Sequence, residues 1–407
     1  MDTSRHANVE FTLSWASGDA RHTERQYMEK VNFWRDFFPA DLGEQLARCE
    51  PGETAQVRLG PGHVVPAEDR AQVMAVADRH FRRRLASGAL TEPRAGRFYP
   101  RGLLTGMAGH FAEDRRPFRC VGVGEGQIRA DLNHPLARYP LAVAGRVVSE
   151  RGSREERGGR CNDLPEDLTA GGPGLQAAYP AVESDFFSGS PFAREDPSED
   201  GRFYAEPRLV NHIDAHAMAQ VRELYGRLLR PGMAVLDLMS SWTSHLPEGL
   251  ADLEVTGLGM NAAELERNER LTGRVVHDLN REPRLPFADA AFDAALCTVS
   301  VEYLTRPVEV FAEVARVLRP GAPFVLTFSD RWFPPKVVRI WTELHPFERM
   351  GLVLEYFRRA GAFTDLNTES ARGWPRPDDD KYAHMLAHAD PLYAVWGRRA
   401  GATPPAH

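Results

Sequence analysis

The chain has 407 residues, 43% of them hydrophobic and 26% charged, with 50 Lys and Arg against 57 Asp and Glu for a formal net charge of −7. That length and composition describe a globular, soluble protein able to bury at least one large core and to divide into two or three domains. The acidic balance, without a Lys/Arg cluster interleaved with aromatics, argues against a nucleic-acid or anionic-membrane partner.

The amino terminus, "MDTSRHANVEFTLSW", has no apolar signal-like core, and no run approaches the roughly eighteen apolar residues of a membrane span. A cytoplasmic location is expected. The cysteines, Cys49, Cys120, Cys161 and Cys297, lie far apart with no C-x-x-C, so they read as free thiols and not as a zinc knot or redox pair.

In chain order, "VEFTLSW" (9–15) alternates as a strand and "ADLGEQLARC" (40–49) has helical spacing through Leu42 and Leu46. "EPGE" (50–53) is a turn, "ETAQVRL" (53–59) a strand and "PLAVAGRVV" (140–148) a closing strand. The region 60–110 reads as helix-containing, with "RHFRRRL" (79–85) a solvated face.

The stretches "FFPADLGEQLARCEPGETAQVRL" (37–59) and "DLNHPLARYPLAVAGRVV" (131–148) resemble FKBP-type prolyl isomerases of the SlyD-like branch over about residues 7–150. The resemblance implies an apolar-aromatic proline pocket built from Phe37, Phe38 and Leu42. It leaves open a working isomerase, a docking or substrate-presenting module, or ordinary core.

From about Ser149 to Gly201 the chain is crowded with Gly, Pro, Ser and charge and shows little period. It is expected to be a connector whose apolar islands, "LQAAYPAV" and "DFFSGSPF", pack along a neighbour.

A strand-helix rhythm follows: a helix over 220–232, strands "AVLDLM" and "LEVTGLGMN" (253–261), a helix over 262–271, a strand "RVVHDLN" (274–280), a strand and exit loop "FDAALCTVSVEYL" (292–304), a helix over 307–321 and a strand "APFVLTFSDRWF" (322–333). Such alternation implies a parallel doubly wound sheet with ligands beyond the carboxyl ends of its strands.

The segment "LPFADAAFDAALCTVSVEYLTRPVEVFAEVARVLRPGAPFVLTFSDR" (285–331) is similar to class I S-adenosylmethionine-dependent methyltransferases of the type 11 kind, and the likeness extends over about residues 203–363. It implies S-adenosylmethionine as cofactor, with Asp237 organising the first loop, Asn261 standing for the carboxylate that usually meets the ribose, Asp278 and Leu279 flanking the adenine, and Thr298, Val299 and Ser300 lining the exit of the fourth strand. Met239, Ser240, Ser241 and Gly259 are implied cofactor contacts as well.

The loop "SSWTSH" (240–245) departs from that family's glycine-rich pattern. Its hydroxyls, on Ser240, Ser241, Thr243 and Ser244, are expected to replace backbone contacts to the cofactor's amino-acid end; the competing reading is a polar turn in a domain kept for architecture. Upstream, "RFYAEPRLVNHIDAHAMAQV" (202–221) is expected to form a lid, with Tyr204, His212 and Asp214 on the substrate side.

His212 and His216 share a helical spacing but lack a third ligand, so no metal is expected. Tyr204, His212, His245 and Tyr303 are the candidates for orienting the acceptor and removing its proton; for His245 the alternative is a helix cap. The sequence therefore predicts an α/β protein: an FKBP-like α+β domain (1–150), a linker (151–201) and a Rossmann-like doubly wound methyltransferase domain (202–407). It would methylate a small molecule or peptide, the alternative being a non-catalytic or chaperone-like protein, and the oligomeric state is not legible.

Overall fold

The structure is a computed structural model, and it describes residues 5–85, 88, 90–106, 111–150 and 161–401. Part of the expected linker, 151–160, lies outside the described residues, as do 402–407 of the expected second domain. The chain divides into two compact units, one formed by Met1–Gly18 with Glu29–Ser190, the other by Asp19–Met28 with Pro191–His407.

In the first unit, β1 (His6–Ser17) and β3 (Thr54–Leu59) flank β8 (Leu141–Glu150), both antiparallel to it. Between β1 and β3 the chain makes β2 (Ala20–Asn32), whose first part belongs to the other unit, and the short helix α1 (Leu42–Leu46). Leu42 and Leu46 are fully buried, and Gly145 of β8 leaves room for Leu46: a Cβ there would stand 2.8 Å from its Cδ1.

The region 60–110, expected to be helix-containing, has among its described residues only three short 3-10 turns, Arg70–Gln72, Asp78–His80 and Arg101–Leu103. Residues 60–131 contribute a separate antiparallel sheet, in the order β4 (Val73–Ala77), β7 (Gln127–Asp131), β6 (Pro117–Gly124), β5 (Phe98–Pro100). Val76, Phe81, Tyr99, Phe118 and Ile128 form its core, and such β-branched and aromatic residues favour a pleated surface over a helix. Within "RHFRRRL", Phe81 is buried and Arg83 pairs with Asp78 and Glu92.

The expected connector is divided between the units. Its described residues up to Ser190 belong to the first, where Asp36 accepts from the backbone and side-chain nitrogens of Asn162 (3.1 and 3.0 Å) and α2 (Leu164–Thr169) follows. Residues from Pro191 on belong to the second, including the short helix α3 (Asp200–Phe203).

The second unit is the doubly wound sheet. Its parallel strands run β11 (Gly273–Val276), β10 (Glu254–Gly259), β9 (Ala234–Leu238), β12 (Ala294–Thr298), β13 (Pro323–Phe328). Two strands that the sequence reading did not reach extend it: β15 (Leu392–Arg399), antiparallel to β13, and β14 (Phe363–Arg372), which pairs with β15 and, in parallel, with residues 20–26 of β2.

Helix α4 (Ala215–Leu228) leads into β9, α5 (Ala262–Arg267) joins β10 to β11 and α6 (Pro307–Val317) joins β12 to β13; α7 (Arg339–Glu343) and α8 (Pro346–Ala360) follow β13. Val221, Leu224 and Tyr225 of α4 pack with Val235, Leu296 and Val325 on one sheet face. Alternation turns Phe324 to the other face, where Phe311 of α6 meets it edge-on at 5.0 Å and Phe357 of α8 at 5.7 Å.

Two element boundaries differ from expectation for polar reasons. Helix α4 begins at Ala215 because Asp214 caps it, accepting from Ala217 N at 2.8 Å. Helix α5 stops at Arg267 and does not run to 271, because the Asn268 side chain is drawn to Ser241 O and Ser244 Oγ, both at 2.9 Å.

Replacing Phe311 by Ala should cost about 3–5 kcal/mol, the usual range for a truncated core aromatic, read as a shifted urea transition in tryptophan fluorescence. A loss below about 1 kcal/mol would show that the ring cluster does not fasten α6 and α8 to the sheet.

Candidate active site

At the carboxyl end of β9 the chain places Asp237, 2% exposed, between apolar neighbours, with two of the four hydroxyls of the following loop on one of its oxygens: Ser240 Oγ and Ser244 Oγ each donate to Oδ2 at 2.6 Å. Asn268 Nδ2 in turn donates to Ser244 Oγ. Burial still dominates these bonds and pushes the carboxyl up to about 6. Oδ1 takes part in neither bond.

This is the fate of the hydroxyls expected to meet a cofactor. Ser240 and Ser244 solvate Asp237, and Ser241 Oγ donates to Glu264 Oε2 at 2.6 Å; of the four, Thr243 keeps its half-buried place on the cavity without such a bond. The protons of these three hydroxyls are thus spent on carboxylates within the protein, because a buried carboxylate needs donors.

The loop follows a left-handed path without glycine. Met239 has φ +57° and His245 φ +50°. Ser240 N donates to Leu258 O at 2.8 Å, which lays the loop across the end of β10; a Cβ on Gly259 would stand 2.1 Å from Ser240 O. Gly259 is required by this close approach.

Asn261 borders the cavity and is hydrogen-bonded within the protein. Its Oδ1 caps α5 by accepting from Glu264 N (3.1 Å), and its Nδ2 donates to Tyr204 O (2.9 Å) and Ala205 O (3.1 Å). The amide is thus committed to holding the segment ahead of α4. Glu264, which sequence reasoning missed, accepts from Arg208 N at 2.6 Å and supplies the carboxylate on that side of the cavity. Trp242 Nε1 donates to Val210 O at 3.1 Å, a further tie to the same segment.

On the opposite side Asp278 accepts from Asn280 N (2.9 Å) and Arg281 N (3.2 Å), closing a turn, with Leu279 buried beside it. Asn280 is the second missed residue. It donates to Asp200 Oδ2 and Tyr303 O and accepts from Thr305, so it clamps three segments. At the end of β12, Thr298 Oγ1 lies 2.6 Å from the buried Tyr225 hydroxyl, Val299 has φ +47° with its N–H on Thr327 O, and Ser300 Oγ donates to Thr298 O.

These segments enclose a cavity of about 1150 Å³ including its open mouth, bordered by Asp237, Met239, Ser240, Ser241, Gly259, Asn261, Asp278, Leu279 and Thr298–Ser300 and by Tyr204, His212, His245 and Tyr303; Ser244 is not on it. Nor is Asp214: it is buried and bound to Arg376 and Asp390 N. His216 stacks on Trp374, away from His212, whose ring meets Phe333 edge-on at 5.1 Å. Among the described residues no cluster of three or more potential metal ligands occurs, and no helix is long and apolar enough to cross a membrane.

Four groups on the cavity can handle protons. His245 is buried, its Nδ1 has no hydrogen-bond partner, and burial lowers it to about 4, so the ring is neutral near pH 7. Burial also lowers His212. Tyr204 and Tyr303 are pushed well above the ordinary phenol value, again by burial, and stay protonated. The Tyr303 hydroxyl accepts from Phe333 N at 2.8 Å.

Residues 240–326 match the family model described as a methyltransferase domain. The chain is 30% identical over 159 residues to a demethylmenaquinone methyltransferase of Renibacterium salmoninarum, a stretch covering 39% of this chain and 65% of that protein. It is 29% identical over 144 residues to sterol methyltransferase-like 1 of Botryococcus braunii, covering 33% and 37%, and 32% identical over 108 residues to the ubiquinone/menaquinone biosynthesis C-methyltransferase UbiE of Bartonella quintana, covering 26% and 39%. The chain thus spans less than two thirds of the length of these curated relatives. Among solved structures it is similar to a SAM dependent methyltransferase from Archaeoglobus fulgidus (TM-score 0.33, 15% identity, 45% of this chain and 93% of that one) and to the [4+2]-cyclase SpnF (0.32, 17%, 48% and 88%).

The raised Asp237 carboxyl makes a stability prediction. Its folded value, about 6, lies above its ordinary 3.8, so the contribution to folding is fully present below about pH 4 and is lost as pH rises through 6. Asp237→Asn should therefore match the parent near pH 4 and exceed it by up to ~3 kcal/mol above pH 7, the equivalent of about two pKa units. Equal stability of the two at pH 7.5 in chemical denaturation would show that the carboxylate is not a buried burden.

Proposed function

We propose that the protein is an S-adenosylmethionine-dependent methyltransferase acting on a small molecule or peptide, with its site in the cavity at the carboxyl ends of β9, β10 and β12. The observation that carries this reading is Asp237: a buried carboxylate on the cavity with two hydroxyls on Oδ2 and, among the described residues, no hydrogen bond to Oδ1. A cationic group is the natural partner for such an oxygen. The match of residues 240–326 to a methyltransferase domain supports the same reading.

The residues present fit the cofactor. Asp237 would take its ammonium, the backbone of Met239–Ser241 would border its amino-acid end, Glu264 offers the carboxylate on the β10 side in place of Asn261, and Asp278 with Leu279 and Thr298–Ser300 would flank the adenine. When bound, S-adenosylmethionine supplies a sulfonium-activated methyl group. The protein's work is then to hold an acceptor atom in line, exclude water and accept a proton where the acceptor carries one.

Tyr204 and Tyr303, held protonated, act as hydrogen-bond donors that orient the acceptor. His212 and His245 are neutral at pH 7 and can take a proton, His245 weakly because its value lies about three units below neutrality. The aromatic wall of Tyr204, Tyr303, His212 and Phe333 suits an acceptor with an apolar face, in keeping with the isoprenoid quinone and sterol names among the relatives.

For the first unit we carry the FKBP likeness as a docking module. Leu42 is buried at the base, Phe38 stacks near Phe33 at 6.0 Å, and Phe37 is 66% exposed. A prolyl-isomerase assay on peptide substrates tests whether catalysis accompanies docking.

Calorimetry with S-adenosylhomocysteine tests the reading. Affinity should fall about tenfold per pH unit below about 6, as Asp237 gains the proton that excludes an ammonium partner, and Asp237→Asn should bind at least tenfold more weakly with no such slope. Absence of any binding to the parent protein at millimolar ligand would favour the non-catalytic alternative.

A further inference from the structure

The cavity's aromatic side holds a guanidinium with no anion to meet. Arg208 is half-buried, borders the cavity and lies over three rings, with Cζ 4.5 Å from the Phe203 centroid, 5.2 Å from Phe333 and 5.7 Å from Tyr204. Of its five N–H donors the structure commits one, from Nη2 to Phe203 O at 2.9 Å. Among the described residues no carboxylate forms an ion pair with it.

The carboxylates that border the same cavity are each engaged elsewhere. Asp200 receives both bonds of Arg194 Nη1, the ammonium of Lys336 and Asn280 Nδ2. Glu264 receives the backbone N–H of Arg208, not its side chain, and Ser241. Asp278 receives turn amides and Asp237 the two serines.

A guanidinium stacked on aromatic faces is fixed in orientation and partly stripped of water, yet keeps its charge; such a group is preorganised for a planar anion. Lys381 acts electrostatically on His212 with the same sign as Arg208, and Glu264 acts on it with the opposite sign.

We propose that Arg208 is the anion-receiving residue of this site, held by Phe203, Phe333 and Tyr204 to clamp a ligand carboxylate in bidentate fashion. The inference deepens the methyltransferase reading and rests on it. The carboxylate has two sources, the amino-acid end of the cofactor or an aromatic acceptor acid. In both cases Arg208 sets which ligands the cavity takes.

Three probes separate the sources: S-adenosylhomocysteine, 5′-methylthioadenosine, which lacks the amino-acid end, and benzoate against benzyl alcohol on the S-adenosylhomocysteine-loaded protein. Arg208→Met keeps the aliphatic stem over the rings, and unchanged methylthioadenosine affinity reports an intact fold. If the cofactor supplies the anion, Arg208→Met should weaken S-adenosylhomocysteine roughly ten- to a hundredfold and spare methylthioadenosine. If the acceptor supplies it, benzoate should bind at least tenfold more tightly than benzyl alcohol, and the variant should erase that difference.

Arg208→Lys, which keeps the charge and loses the fork, should recover only part of either loss. Wild-type binding of S-adenosylhomocysteine that Arg208→Met leaves intact, together with no benzoate preference, overturns the assignment while leaving the methyltransferase reading in place. Failure of the parent to bind the cofactor product at all defeats that reading first.

Discussion

The arrangement of the cavity depends on one burial problem, the Asp237 carboxylate at the end of the central strand. A charge there is expensive to desolvate, and the sequence supplies its solvation locally through Ser240 and Ser244, three and seven residues on. To bring both hydroxyls to one oxygen the chain must curl back, which sets Met239 and His245 in the left-handed region. Asn268 then anchors Ser244 from the far side and ends α5 one turn early. The course of the loop, the length of a helix and the floor of the cavity share this one cause.

From that floor the constraint spreads by hydrogen bonds. Ser241 fixes Glu264, Glu264 fixes the backbone of Arg208, and Asn261 fixes Tyr204 and Ala205. The segment before α4, which contributes Tyr204, Arg208 and His212 to the cavity, is therefore positioned from below by polar bonds and from the side by the Phe203 and Phe333 rings. A lid held in this way exposes rigid aromatic surface to a ligand, which lowers the entropy lost on binding.

The strand-helix rhythm of the second unit was legible because β9, β12 and β13 are short, mostly apolar runs, buried along nearly their whole length. The positions bordering the cavity were legible too, since loops at the carboxyl ends of parallel strands must converge. What each polar group does there was not. Whether Ser240 faces a ligand or Asp237, and whether Asn261 meets a diol or the Tyr204 carbonyl, depends on contacts between segments far apart in sequence. Asp214 looked like a ligand group and is a helix cap, a role that its place before an apolar helical run could have suggested. The sheet within 60–131 was missed for a similar reason: short strands such as Phe98–Pro100 carry little pattern of their own and gain stability from the partners that cover Phe81 and Phe118.

The missing glycines bear on what such a site requires. Met239, His245 and Val299 all border the cavity and all take positive φ, and for a β-branched residue like Val299 that conformation costs about 1–2 kcal/mol. It persists because bonds on either side over-determine it: Ser240 N to Leu258 O after Met239, and Val299 N to Thr327 O. The requirement at these turns is thus the left-handed backbone and not the absence of a side chain. Where a side chain is excluded, at Gly259, the cause is the neighbouring loop's carbonyl and not a ligand. With Met, His and Val at these turns the cavity is lined by side chains, and its shape follows in part from them.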